Sequence, residues 1–327
     1  MGSTDFIGRL RKIDLHIHLE GSLSRSTLAA LAARHRLAVP PLRAFTGMGG
    51  FLKSFGAVCD LMVDPEDFER AANDLFEQAR RGRVAHMEVL FSPQVFMRRG
   101  VPLDSILRGL TRARRRAMRR PGLSIVYIMD GVRQWGGDWF EQVVSSSAPY
   151  AGRGLAGIGV GGDESALPAR AFARAFRAAR DLGLRSTVHA GESAGPESVR
   201  EALRHLAPDR IGHGIGAADD PRLVSELARR GLALEICPTS NVATGVVSSM
   251  SLHPVRKLLD AGVAVTLNSD DGAFFGTNVT RELRLASRSF SFTRDEILRV
   301  TLNAARAAFL PAAFRLRLER AIHRSVS

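Results

Sequence analysis

The chain has 327 residues, 45% of them hydrophobic and 24% charged, which is enough to bury a large core and too apolar for a disordered chain. Its formal net charge of +13 is carried almost wholly by arginine, since only Lys12, Lys53 and Lys257 are lysines. The arginines are spread over many segments with no aromatic residues interleaved for base stacking, so composition argues against a nucleic-acid partner.

The opening MGSTDFIGRLRK lacks the apolar stretch of a signal peptide, and no apolar run approaches the length of a membrane span. A cytoplasmic protein with no membrane partner is expected. Cys59 and Cys237 lie far apart without zinc-type spacing, which predicts buried thiols in a reducing compartment. No low-complexity segment or linker divides the chain, so residues 1–327 are expected to form one domain.

Short apolar runs recur at 13–18, 84–91, 123–130, 155–161, 185–190, 210–213, 232–237 and 263–268, and each is followed by a polar or glycine-rich stretch and then a helical pattern. Between the first two runs lies extra sequence, 24–83, containing GMGGFLKSFGAVCDLM. Its glycines followed by Phe51, Leu52 and Phe55 at helical spacing predict an apolar lid, or in the plainer reading one more packed helix. The basic run 111–120, TRARRRAMRR, follows a stripe of Ile106, Leu107, Leu110 and Met118 and predicts the solvated face of an outer helix. Helices are predicted at 170–182, with Phe172, Phe176, Ala179 and Leu182 on one stripe, and at 221–230 behind the capping candidates Asp219 and Asp220. Residues 294–324 read as further helices. Eight strands alternating with helices predict a parallel sheet closed as a (β/α)8 TIM-type barrel with extra helices.

In such a barrel the site is built at the C-terminal ends of the strands. The first run closes with His16-Ile17-His18, whose alternation turns both imidazoles to one face. The fifth ends in His189 with Glu192 just beyond, the sixth in His213, and the eighth in Asn268-Ser269-Asp270-Asp271. Each residue alone is commonly structural; their collection at one end of the strands is not. Nitrogen and carboxylate donors, with neither cysteine at these positions, suit Zn²⁺. A zinc-activated water makes hydrolysis the expected reaction class.

The segments IDLHIHLEGSLS, HMEVLFSP, GIGVGGDES, VHAGES, RIGHG, EICPTSN and VTLNSDDGAFFG, in this order, resemble the adenosine deaminase family of the amidohydrolase superfamily from about residue 12 to about 276. The resemblance implies one zinc ion held by His16, His18, His189 and Asp270. It further implies that Glu192 protonates purine N1, and that His213 orients and deprotonates the attacking water. Asp271 would hold the hydroxide and reach the base, and the Gly162 amide would face the purine. His18, Glu20, Gly162 and Asp271, with Phe51 and Phe55 of the lid, are the expected substrate contacts. The implied partner is a small-molecule purine, adenosine or a related adenine nucleoside, converted to the 6-oxopurine and ammonia.

Two departures bear on the substrate. Glu20 stands where mammalian-type adenosine deaminases have the aspartate that meets the ribose, which also resembles adenine deaminases. Gly272 replaces the usual proline after the aspartate pair. Adenine itself, or a modified adenosine such as aminodeoxyfutalosine, is therefore the alternative. A binuclear phosphotriesterase- or lactonase-like hydrolase would need a bridging lysine, and no lysine stands at a strand end near the site.

Overall fold

In the computed structural model, which describes residues 5–42 and 45–326, all eight apolar runs are strands. They are β1 Lys12–His18, β2 Val84–Phe91, β3 Ser124–Val132, β4 Leu155–Gly161, β5 Arg185–Ala190, β6 Arg210–His213, β7 Ala233–Ile236 and β8 Ala264–Leu267. Residues 1–4 of the N-terminal stretch read above lie outside the described residues. Each strand pairs in parallel with its successor, giving the order β1 to β8. β7 ends before Pro238, which has no N–H to continue a ladder.

The ring is completed beyond β8 by a seam to β1. Ile17 bridges Asp270, the Asp270 amide donates to the His16 carbonyl at 2.8 Å, and the His18 amide donates to the Asp270 carbonyl at 3.2 Å. The predicted barrel is therefore present, and the seam that completes it runs through site residues. Because helices cover the outside and side chains fill the inside, β1, β2 and β6 are buried residue by residue. Burial on both faces lets β2 read as a nearly continuous apolar run, whereas β1 keeps Lys12, Asp14, His16 and His18 on one buried face.

The helix predicted at 221–230 is Pro221–Arg230, with Asp220 accepting from the Arg222 and Leu223 amides. The stripe at 170–182 splits into a 3₁₀ turn, Ala169–Phe172, and the helix Ala173–Asp181. Residues 294–324 form the helices Arg294–Ala307 and Ala312–Arg324, which flank Pro311. Val279–Ser289, left unread above, is also a helix. The basic run lies on Leu103–Met118 with Arg112, Arg115 and Arg116 exposed, and Arg112 and Arg120 pair with Glu66 and Glu77 at 3.0 and 2.8 Å. Met118, grouped above with the apolar stripe, is 43% exposed.

Among its described residues the extra sequence forms three helices: Arg25–His35, Gly47–Cys59 and Pro65–Arg81. The last is the crossover to β2, opened by a capping box between Asp64 and Asp67. Gly47–Cys59 roofs the barrel mouth, with Gly47, Gly49 and Gly50 in its first turn. The Phe51 ring packs against Phe45, Phe274 and Phe275, with centroids 5.6, 5.4 and 5.3 Å away. Among the described residues no helix is long and apolar enough to cross a membrane. Both cysteines are free and buried.

Candidate active site

Alternation along β1 turns His16 and His18 inward, with ring centroids 5.3 Å apart. The His189 ring, from the end of β5, lies 4.6 Å from His16 and 5.4 Å from His18; the His213 ring, from β6, lies 5.0 Å from His16. The seam brings in Asp270, whose Oδ1 is 3.7 Å from His16 Nε2 and 3.5 Å from His18 Nε2. Both Asp270 and His213 adopt φ of +57°, the left-handed region that non-glycine residues enter rarely and that is enriched at functional sites.

Glu192 follows β5 on a loop held from two sides. The Glu164 carboxylate accepts from the amides of Gly191, Ser193 and Ala194 and from the Ser198 hydroxyl. Buried Arg133 donates to the His189 carbonyl at 2.7 Å and to the Leu167 carbonyl at 2.9 Å. Glu192 Oε2 thereby stands 3.9 Å from His213 Nε2, which is also 3.9 Å from Asp270 Oδ2.

These groups surround a cavity of about 310 Å³. His18, Asp130, His189, Glu192, His213, Asp270, Asp271, Gly161 and Gly162 line its inner part; Phe51, Leu52 and Phe55 of the roof helix, with Val95, Arg99, Gln134 and Trp135, line the outer part. A larger groove of about 900 Å³, bordered by Arg185, Asp209, Phe309 and Phe314, holds none of the converged groups. Of the expected substrate contacts only Glu20 stays out of the cavity wall: it is 1% exposed and accepts from the Ser92 amide at 2.8 Å.

Several residues of the site were not read from sequence. Asp130 ends the third run, yet it was not counted with the other strand ends. Its carboxylate fills space that β4 leaves open, for a Cβ on Gly159 would sit 2.4 Å from Asp130 Oδ1. Glu235 of β7 binds His16 Nδ1 at 2.8 Å and is itself held by Thr187 and by buried Arg210, which also pairs with Glu88 at 2.7 Å. Cys237 corrects an expectation. Its sulfur lies in one group with ligand atoms of His16 and Asp270, all within 4.8 Å of one another. Burial pushes that thiol well above its usual range.

The electrostatics sort the groups by role. Burial alone would depress His16, but the Glu235 hydrogen bond and the Asp270 charge outweigh it and raise it to about 9. Burial lowers His18 to about 3 and His213 to about 4, leaving both neutral, and pushes His189 well below the imidazole range. Asp270 resists burial through His16, His213 and His18 and is held below the usual carboxylate value. Glu192 is raised to about 8 by burial, then by Asp270 and Glu164. Burial and the Asp270 charge push Asp271 well above its usual value.

The donor set fits a divalent metal. His16 Nε2 is buried without a hydrogen-bond partner, its other nitrogen is taken by a carboxylate, and it faces Asp270 across a space shared with His18 and His189. A histidine oriented by a carboxylate on its far nitrogen is a common arrangement at zinc. A cation there would also take up the Asp270 charge, one of the two main causes that raise Asp271.

The family model described as "Adenosine deaminase" matches residues 11–325. The chain belongs to the adenosine deaminase family. Among its relatives, an adenine deaminase from Sphingopyxis alaskensis is 34% identical over 95% of this chain and 94% of its own length. An aminodeoxyfutalosine deaminase from Streptomyces avermitilis is 35% identical over 96% of this chain and 90% of its own. A zinc-bound amidohydrolase from Burkholderia ambifaria superposes with a TM-score of 0.92 at 26% identity, covering 100% of this chain and 94% of that one. The hydrolytic deamination of an adenine-type ring expected above is accordingly the reaction class of this deaminase.

Proposed function

We propose that the deaminase uses one zinc ion, held by His16, His18, His189 and Asp270, to convert an adenine nucleoside and water to the 6-oxopurine nucleoside and ammonia. When bound, the metal would polarise the attacking water and lower its pKa to about 7. Water adds to C6, and the electron density displaced to N1 needs a proton from the far side of the ring. Glu192 supplies it, since a carboxyl raised to about 8 enters neutral at pH 7. His213 and Asp271 orient the water, the Gly162 amide faces the purine, and Phe51 and Phe55 of the roof helix close over the substrate as a lid. The family match over 11–325 supports reading the whole chain as one hydrolase domain.

The observation that carries this reading is the convergence of four imidazoles and Asp270 on the side of Glu192, around one cavity. Its apolar outer part, with Phe51, Phe55 and Trp135, supports a substituent on the ring. Free adenine is the second reading, favoured by Glu20 standing behind the wall where a ribose contact was expected. The test is the loss of adenine absorbance for adenine, adenosine, 5′-modified adenosines and aminodeoxyfutalosine, each with zinc-loaded protein. Rapid loss with a nucleoside supports the first reading and loss confined to adenine the second; no loss with any overturns the ring assignment.

A further inference from the structure

Asn241, buried in the helix Pro238–Ala243 that follows β7, lies between two histidines. Its Nδ2 is 3.1 Å from His213 Nδ1 and its Oδ1 is 3.2 Å from His253 Nε2, while the Val255 amide is 3.2 Å from His253 Nδ1. Amide orientations and histidine tautomers are ordinarily a matter of assignment. Here a backbone group decides them. The Val255 N–H opens the helix Val255–Asp260, has no intrahelical acceptor, and can only donate.

His253 Nδ1 must therefore be the bare acceptor, which puts the ring proton on Nε2. That proton is donated to Asn241 Oδ1, so the amide turns its Nδ2–H to His213 Nδ1. His213 Nδ1 accepts, and its proton sits on Nε2, the nitrogen that faces Glu192 and Asp270. The reverse amide orientation would demand a proton on His253 Nδ1, setting donor against donor at Val255. A doubly protonated His253 meets the same clash. Because His213, Asn241 and His253 are 1%, 0% and 5% exposed, water has little access to relieve a mismatch.

We propose that Asn241 and His253 are positioning residues that lock His213 in the Nε2–H tautomer, so that it meets the attacking oxygen as a hydrogen-bond donor. In that tautomer His213 is not a metal ligand, although its nitrogen lies within 4.8 Å of donor atoms of His16 and His189. Burial holds His253 at about 4, so that ring is neutral at pH 7. The inference rests on the deaminase reading of the site.

The test is a long-range ¹H–¹⁵N correlation spectrum of the full chain carrying ring-¹⁵N histidine, recorded at pH 7 with and without zinc. Comparison with His213→Gln and His253→Gln assigns the two rings. Both are expected with the proton on Nε2. Asn241→Asp presents an acceptor to both sides, and is expected to move the His213 proton to Nδ1 and lower kcat on the order of 10²-fold, with KM changed far less. His253→Gln, which retains an N–H toward Asn241, is expected to keep most activity, whereas His253→Leu loses it. A wild-type His213 protonated on Nδ1 overturns the proposal, as does an Asn241→Asp protein with unchanged tautomer and kcat. If Asn241→Asp does not fold, the wild-type spectrum still decides. The spectra need no turnover, so a protein inactive on every adenine derivative removes the functional reading and leaves the tautomer measurable.

Discussion

The inner half of the cavity gathers polar groups left open: Asp130 Oδ1 and Asp271 Oδ1 of its lining, and His16 Nε2 behind it, are buried with no partner. In the outer half the charged group is spoken for. Arg99 at the mouth donates to Asp60, the Val95 carbonyl and the Gly56 carbonyl, and what it leaves to the cavity is mainly the rings of Phe51, Phe55 and Trp135. Buried polar groups without partners are costly, so where they cluster they mark what a ligand completes. The inner half is thus the part whose polar groups a ligand would complete. The outer half selects by shape and apolar area.

The sharpest test of that division removes one group from each role in the inner half. His189→Ala is expected to lose both zinc and turnover. Glu192→Gln is expected to keep zinc, measured by atomic absorption, while turnover drops by about 10²–10⁴-fold. A fully active Glu192→Gln would move the acid elsewhere. The same residue sets a pH limit. The neutral carboxyl is the working form and its pKa is raised to about 8, so the active fraction is full well below pH 8 and declines about tenfold per unit above it. A kcat/KM profile flat from pH 7 to pH 10 would contradict the assignment.

A smaller effect is expected one layer out. Glu235→Gln weakens the charged partner of His16 and should reduce zinc affinity by about 10–100-fold in chelator competition. It also leaves Arg210 with one of its two carboxylates, so the thermal transition should fall as well. Unchanged zinc affinity would make Glu235 purely a partner of Arg210. In the outer half, Phe55→Ala should raise KM for an N9-substituted substrate by about tenfold, the scale of partial loss of a buried ring, with little change for adenine. Equal changes for both would mean that Phe55 only holds the roof in place.

His16 and His18 were legible because strand alternation is a local rule, and Glu192 because only two residues separate it from His189 near the end of its strand. Asp130 obeyed the same strand-end rule, but its reach toward the site depends on the glycines of the neighbouring strand β4. Glu164 acts on amides 27 to 30 residues away and Asn241 on a histidine 28 residues away, separations that no short pattern spans. Cys237 was discounted on spacing, yet the ends of β7 and β1 meet in space. Glu20 was expected at the substrate, and the Ser92 amide draws its carboxylate behind the wall instead.

The eight-unit barrel, the metal-ligand candidates and hydrolysis as the reaction class followed from residue order, because apolar runs, strand alternation and short polar motifs act over a few residues; deamination followed from the resemblance to the adenosine deaminase family. The orientation of the side chains around those candidates did not. Which nitrogen of His213 bears its proton is dictated by a backbone amide at Val255 through two intervening side chains. The occupancy of the outer cavity is dictated by a helix from the β1–β2 insertion packing on Phe274 and Phe275, which follow β8. Hydrogen bonds and packing between segments far apart in the chain exist only once the barrel has brought those segments together.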